Sequence, residues 1–199
     1  YVYDGTKEGI YEVGDEKNPQ SAYGRTKLEG EKFALENPKT FVARTSWVFG
    51  INGNNFVKAM LNLAETKDSI TVVDDQIGSP TYTKDLARVL VDMSLTEKYG
   101  EYNTNNKGYM SWKEFAELIF DVFEKPTTAV GVSTEDYYDN MRKAKEAKGE
   151  DMPSIAFRPR NSRLSREPLA KEGLDTFPTV REALINYKAE LYEDKKGAK

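Results

Sequence analysis

Pro19-Gln20-Ser21-Ala22-Tyr23-Gly24-Arg25-Thr26-Lys27-Leu28-Glu29-Gly30-Glu31-Lys32-Phe33-Ala34-Leu35-Glu36-Asn37 carries a tyrosine and a lysine four positions apart. Ser21 predicts an N-cap and Asn37-Pro38 a stop, so the pattern predicts a helix running to about Glu36. On such a helix Tyr23, Lys27, Gly30 and Ala34 share one face, and the phenol and the ammonium point the same way. A neighbouring cation favours the phenolate, and a tyrosine tuned in this way exchanges a proton with a substrate oxygen near neutral pH. The spacing alone is weak evidence, because Tyr3/Lys7, Tyr109/Lys113 and Tyr192/Lys196 repeat it. Only Tyr23/Lys27 lies within one well-signalled helix, and an ordinary surface pair is the alternative until context decides.

The rest of the chain restricts the chemistry available to that pair. With no histidine and no cysteine among 199 residues, Ser-His-Asp hydrolysis, histidine bases, thiolate chemistry, disulfides and the usual zinc sites are excluded. Proton transfer is left to Tyr, Lys, Asp and Glu. Asp74-Asp75 reads as turn chemistry rather than a metal site, so no metal ligands are assigned and a metal requirement is not legible. A formal net charge of −4 gives no overall attraction to nucleic acid. A mean hydropathy of −0.70 and the absence of a long apolar run argue against a membrane span. Lack of cysteine and of a signal peptide predicts a cytoplasmic setting. The first residue is Tyr1 rather than Met, which suggests a fragment or a processed piece.

Taken in order, Tyr1 to Gly5 reads as a strand entering a turn, and 5–20 as a surface loop. Beyond the Tyr23 helix, Thr40 to Phe49 reads as one buried strand, with Phe41, Ala43, Thr45 and Trp47 on one face. Asn54 is placed to cap a helix with Phe56, Val57, Met60, Leu61 and Ala64 as its stripe. Ile70 to Val73 is a strand and 74–80 an irregular loop. A helix from Thr83 uses Leu86, Val89, Leu90 and Met93, and Glu101 to Thr104 is a short strand. Ser111 and Glu114 form a capping box for a helix through Phe115, Leu118, Ile119, Val122 and Phe123. Ala129 to Val132 is a strand, 135–151 an exposed helix or loop, and 153–168 irregular. Thr179 to about Tyr192 closes the chain as a helix. Strands alternating with helices predict an α/β architecture around a partly parallel sheet.

A strand, a loop, a helix bearing Tyr-x-x-x-Lys and then a buried strand, in that order, resembles the extended short-chain dehydrogenase/reductase family of nucleotide-sugar enzymes. YVYDGTKEG, NPQSAYGRTKLEGE, ARTSWVFG, GNNFVKAML, VVDDQIGSPTYTKDLA and RPRNSRLS carry the likeness across nearly the whole chain. Together they are similar to the members that use NADPH to reduce the 4-keto group of dTDP-4-dehydro-6-deoxy-L-mannose, giving dTDP-L-rhamnose. The resemblance implies a partial Rossmann-like sheet plus a smaller α/β substrate-binding region. Residues 1–50 would be the C-terminal part of the dinucleotide-binding domain. Residues 51–192 would be mainly substrate-binding, with returns to the Rossmann sheet, and 193–199 a disordered tail.

By the same resemblance Tyr23 is the general acid, while Lys27 lowers its pKa and holds the nicotinamide ribose. Gly30 would let the helix sit close to the sheet. Arg44, Thr45 and Ser46 would end a strand beside the nicotinamide, and Trp47 would contact the sugar, with a core aromatic as its alternative. Asn54 and Asn55 would open a helix toward the substrate diphosphate, or simply cap it. Gln76, Ser79 and Thr81 would border the nucleotide, or serve as turn chemistry. Arg158, in the family's Arg-Pro-x-Asn-Ser pattern, would bind the diphosphate, with a solvated arginine cluster as its alternative.

The chain departs from the family in having no Gly-x-Gly-x-x-Gly, so it reads as the C-terminal two-thirds of the enzyme, with weak cofactor binding alone. The residues that would choose NADPH over NADH are not among these, and the 138–151 stretch is longer than the family's usual connection. Two other readings stay open: another nucleotide-sugar epimerase or dehydratase, and a non-catalytic sugar-nucleotide-binding or regulatory subunit. The partner implied is the dTDP-sugar substrate, with no nucleic acid and no membrane; a homodimer is left open.

Overall fold

The computed structural model describes residues 1–152 and 157–197. Residues 153–156, part of the expected irregular stretch, and 198–199, the end of the expected tail, lie outside the described residues.

Helix α1 (Ala22–Leu35) begins where the sequence places it. The Ser21 hydroxyl accepts the Gly24 N–H at 3.1 Å. Strand β1 (Phe41–Arg44) follows, and then β2 (Val48–Phe49), with a break between them at Trp47, whose φ is +47°. The single strand expected over 40–49 is therefore two. Nor is the segment buried throughout: Val42 and Arg44 are buried, while Thr45 and Val48 are exposed. Arg44 can take an inward position because it is charge-paired there, a circumstance that apolar periodicity does not register.

Helix α2 (Phe56–Ala64) is capped by Asn55, not Asn54: Asn55 Oδ1 accepts the Lys58 N–H at 3.1 Å. Asn55 has the extended backbone that a cap requires, and two adjacent asparagines leave this choice ambiguous in sequence. Strand β3 (Ser69–Val73) comes next. The 74–80 segment, expected to be irregular, contains β4 (Ile77–Gly78) and leads into β5 (Thr81–Tyr82). Two-residue strands are fixed by their partners more than by their own composition, which is why the reading missed them.

Helix α3 (Thr83–Ser94), β6 (Gly100–Asn103) and β7 (Met110–Ser111) precede α4 (Trp112–Val122). The Ser111/Glu114 capping box forms as read, with bonds of 2.7 and 3.1 Å. Strand β8 (Thr128–Val132) leads to α5 (Thr134–Glu146), a helix with no buried residue. Strand β9 (Asn161–Ser162) and α6 (Glu167–Lys171) order part of the stretch expected to be irregular. Helix α7 (Val180–Gly197) runs on through 193–197, where a disordered tail was expected. Glu193, Lys195 and Lys196 are residue types of good helix propensity. Tyr1 to Gly5 forms no strand ladder among the described residues, although Val2 and Tyr3 are buried.

The pairings are mostly parallel. β1 lies beside β6, β2 beside β5 and β3 beside β8; β4 joins β9 in parallel and β7 antiparallel. Thr104 N–H to Arg44 O at 2.7 Å extends the first ladder past β1, and Thr81 N–H to Trp47 O at 3.2 Å opens the second. The main core gathers Phe49, Tyr82, Phe115 and Tyr187, with α2, α4 and α7 supplying most of the aliphatic cover. At about 25 cal/mol per Å2, and roughly 150–250 Å2 for each aromatic, each of these rings contributes several kcal/mol to holding β2 and β5 in place. The main core thus fixes the segment just after β1, where the cleft described next has its floor.

Candidate active site

A cleft of about 850 Å3 opens between α1, the carboxyl end of β1 and the 157–164 segment. Its size is that of a small-molecule site. Tyr23 and Lys27 line it from α1, Val42 to Val48 from the β1–β2 chain, and Arg158 from the far wall. In parallel α/β sheets this end of a strand is where ligands bind.

Tyr23 is 59% exposed and reaches the cleft with its ring edge-on to Tyr1, their centroids 5.9 Å apart. Lys27 Nζ lies 5.6 Å from the Tyr23 ring centroid, as the one-turn spacing dictates. Lys27 makes no ion pair among the described residues, so its charge is available to the cleft. Gly24, one residue after Tyr23, lets α1 approach: a Cβ there would sit 2.2 Å from the Tyr1 carbonyl oxygen. Gly30, which was expected to do this, faces open space. The close contact falls on the first turn of α1, not on its middle.

Arg44 borders the cleft, but its guanidinium is committed. It donates to both Glu31 oxygens, at 2.9 and 2.7 Å, to Glu101, and to the Tyr3 hydroxyl at 3.4 Å. Burial alone would lower the Arg44 pKa, but Glu31, Tyr3 and Glu101 outweigh it and raise the value. Tyr3 is pushed up to about 12, chiefly by burial, with Arg44 opposing. Arg44 therefore serves as the tie between α1 and the strands.

Thr45 is exposed at the cleft edge. Ser46 lines the cleft and donates its hydroxyl to the Ser79 carbonyl at 2.8 Å. Trp47 lines the cleft, and its ring stacks on Trp112. Arg158 Nη1 donates to the Tyr1 hydroxyl at 3.2 Å. Burial pulls the Arg158 pKa down, but Tyr1, with help from Tyr138, more than reverses this and raises it. Arg160 and Arg163 are engaged elsewhere, Arg160 3.9 Å from Asp75 and Arg163 on Asn161.

The cleft thus brings together Tyr23, Lys27, Arg44, Thr45, Ser46, Trp47 and Arg158. It does not include Asn54, Asn55, Gln76, Ser79 or Thr81. Gln76, Ser79 and Thr81 are buried; the Gln76 amide is spent on Trp112 and Thr134, and Thr81 Oγ1 donates to the Ser79 carbonyl. The Ser79 hydroxyl is buried without a hydrogen-bond partner among the described residues. Sequence reading missed Tyr1, Phe157, Ser21 and Glu31 as cleft residues. The strand-like opening and the neighbour of Arg158 were the available signals for the first two. Asp74 and Asp75 accept from Ser111 and Thr134, and among the described residues no group of three or more His, Cys, Asp or Glu is placed to hold a metal. Nor is any described helix long and apolar enough to cross a membrane.

A phenol open to the cleft, an ammonium one turn away, an indole floor and a guanidinium wall suit proton donation to an oxygen of an anionic, partly planar ligand. The family model for the RmlD substrate binding domain matches residues 1–193. A dTDP-4-dehydrorhamnose reductase from Aggregatibacter actinomycetemcomitans is 41% identical over 175 residues, covering 81% of this chain and 54% of the relative. The Bacillus subtilis spore coat polysaccharide biosynthesis protein SpsK is 43% identical over 138 residues, 69% of this chain and 48% of the relative. The solved dTDP-4-dehydrorhamnose reductase of Clostridium acetobutylicum superposes with a TM-score of 0.85 at 39% identity, over 96% of this chain and 63% of that one. The Bacillus anthracis structure of a reductase so named, in complex with NADP, gives 0.82 at 34% identity, over 96% of this chain and 62% of that one. The chain spans about half the length of the curated relatives it matches.

Proposed function

This chain belongs to the RmlD substrate binding domain family, and we propose that it supplies the proton donor and the sugar-side wall of a reductase. The reaction is NADPH-dependent reduction of the 4-keto group of dTDP-4-dehydro-6-deoxy-L-mannose to dTDP-L-rhamnose. The observation that carries this reading is the meeting of Tyr23, Lys27, Trp47 and Arg158 in one cleft, from three separate parts of the chain.

The residues present fit the nicotinamide end of such a cofactor. Lys27 offers an ammonium with no ion pair among the described residues, and Thr45 is an exposed residue at the end of β1, within a cleft of suitable volume. NADPH, the cofactor form consistent with the NADP named in the Bacillus anthracis relative, supplies the hydride when bound. Tyr23 donates its phenolic proton to the carbonyl oxygen, which becomes the C4 hydroxyl. Lys27 stabilises the phenolate left behind and holds ribose hydroxyls through its remaining N–H donors. Trp47 packs against the sugar, and Arg158 balances the diphosphate charge. We place the reaction in the cytoplasm, in keeping with a chain that contains no cysteine.

The test is Tyr23→Phe in the intact protein. NADPH binding stays unchanged while turnover falls by roughly 10^2–10^4, the range for loss of a positioned acid. Turnover at the wild-type rate overturns the reading.

A further inference from the structure

Trp47 holds its backbone in the left-handed region at φ +47°, a conformation unfavourable for a bulky side chain, at the floor of the cleft. Such an outlier persists only where the surroundings impose it. Here they do. Trp47 and Trp112, the two tryptophans of the chain, stack with centroids 3.5 Å apart and planes 8° apart. Trp47 also lies so close to Gly78 that a Cβ there would fall 2.5 Å from its ring.

Trp112 is itself held. Its Nε1–H donates to Gln76 Oε1 at 3.3 Å, and Gln76 Nε2 donates to Thr134 Oγ1 at 3.0 Å. Thr134, the first residue of α5, donates its N–H and hydroxyl to Asp75 Oδ1 at 2.9 and 2.5 Å. Gln76 is 5% exposed, so both ends of its amide are consumed inside the fold. Neither Trp112 nor Gln76 lines the cleft.

We infer that Trp112 and Gln76 are positioning residues that fix the Trp47 ring as the sugar-facing wall without touching substrate themselves. The inference rests on the reductase reading, in which Trp47 meets the sugar. The rigid stack presents one flat indole face to the hexose, and the amide locks the angle at which the stack stands. This gives Gln76 a role behind the site rather than in it.

The test compares dTDP-L-rhamnose with dTDP as probes on the full chain, because only the first brings a sugar to Trp47. Trp112→Leu weakens dTDP-L-rhamnose about three- to tenfold, the scale of one aromatic pair, and leaves dTDP within about twofold. Trp112→Phe, which keeps a flat ring, restores most of the loss. It also leaves Trp47 as the sole tryptophan, so its emission reports the sugar directly. Gln76→Leu keeps Trp112 in place and broadens the Trp47 indole N–H resonance in the absence of any ligand. An equal loss for both probes in Trp112→Leu, or no loss for either, overturns the inference, as does an unchanged Trp47 resonance in Gln76→Leu. A wild-type chain that binds dTDP-L-rhamnose no better than dTDP, together with an indifferent Trp47→Leu, overturns the underlying reading instead, and the inference falls with it.

Discussion

Arg44 grips both carboxylate oxygens of Glu31 across thirteen residues of chain, at 2.9 and 2.7 Å. The fork ties α1, which bears Tyr23 and Lys27, to β1 beneath it. Both side chains are largely withdrawn from water, at 5% and 13% exposure, and Glu101 accepts from the same guanidinium. Removing one partner of a buried pair strands the other, at about 3–5 kcal/mol. Arg44→Met therefore lowers stability by that order in urea unfolding. Arg44→Lys recovers only part of it, because a point charge cannot span both oxygens. A loss under about 1 kcal/mol for Arg44→Met would show that the pair behaves as a surface salt bridge.

Gly24 and Gly30 sit on the same helix and respond in opposite directions. A methyl at Gly24 would meet backbone at 2.2 Å and Pro19 Cβ at 2.8 Å, neither of which can swing aside. Gly24→Ala therefore pushes the first turn of α1 off its seat and lowers the melting temperature. Gly30 has nothing within 4 Å of a built Cβ, so Gly30→Ala adds roughly 0.5–1 kcal/mol of stability through helix propensity. Thermal unfolding of the two variants checks both signs.

The contrast between these glycines shows what the sequence makes legible. Helix α1 was readable because its signals are local: a serine cap at one end and Asn37-Pro38 at the other. The Ser111/Glu114 box is equally self-contained. What failed depended on distant partners. Apolar periodicity grouped Phe41 and Ala43 on one face of a buried strand, yet Val42 and Arg44 are the buried residues, and Arg44 can be buried because Glu31 and Glu101 arrive from elsewhere to neutralise it. Ile77-Gly78 is a strand only by virtue of Met110-Ser111 and Asn161-Ser162 on either side. At the cleft, Tyr23, Lys27, Trp47 and Arg158 could be collected by motif. Gln76, Ser79 and Thr81 were read as bordering the nucleotide or as turn chemistry; all three are buried outside the cleft, with the Gln76 amide and the Thr81 hydroxyl bonded within the fold.

Asp85 is 3% exposed in the first turn of α3, where Asn106 Nδ2 donates to it at 2.9 Å. Burial raises its pKa above the ordinary 3.8, with Asn106, Arg88 and Lys84 pulling down and Glu182 pushing up. The folded state therefore binds this proton more tightly than the unfolded one. Stability contributed by Asp85 is fully present below about pH 3.8 and is lost as pH rises through the raised folded value. Asp85→Asn keeps an oxygen for Asn106 and removes the buried charge. The variant gains on wild type as pH rises through that window, and the gain holds to neutral pH. Paired denaturation curves from pH 3 to 8 measure the difference, and a gap that widens toward acid contradicts the sign.

Lys27 separates function from stability. It is exposed, forms no ion pair among the described residues, and has its Nζ 5.6 Å from the Tyr23 ring centroid. An exposed side chain without an ion pair among the described residues contributes little to folding, so Lys27→Met changes stability by no more than about 0.5 kcal/mol. On the proposed reading the same substitution removes the charge that stabilises the Tyr23 phenolate and the donors for the ribose. NADPH affinity and turnover then both fall in the intact protein, unlike Tyr23→Phe, which spares affinity. Lys27→Arg keeps the charge but not the compact ammonium, and recovers binding more than turnover. Calorimetric titration with NADPH beside steady-state rates decides it: turnover that survives Lys27→Met would leave the lysine a bystander on an exposed helix.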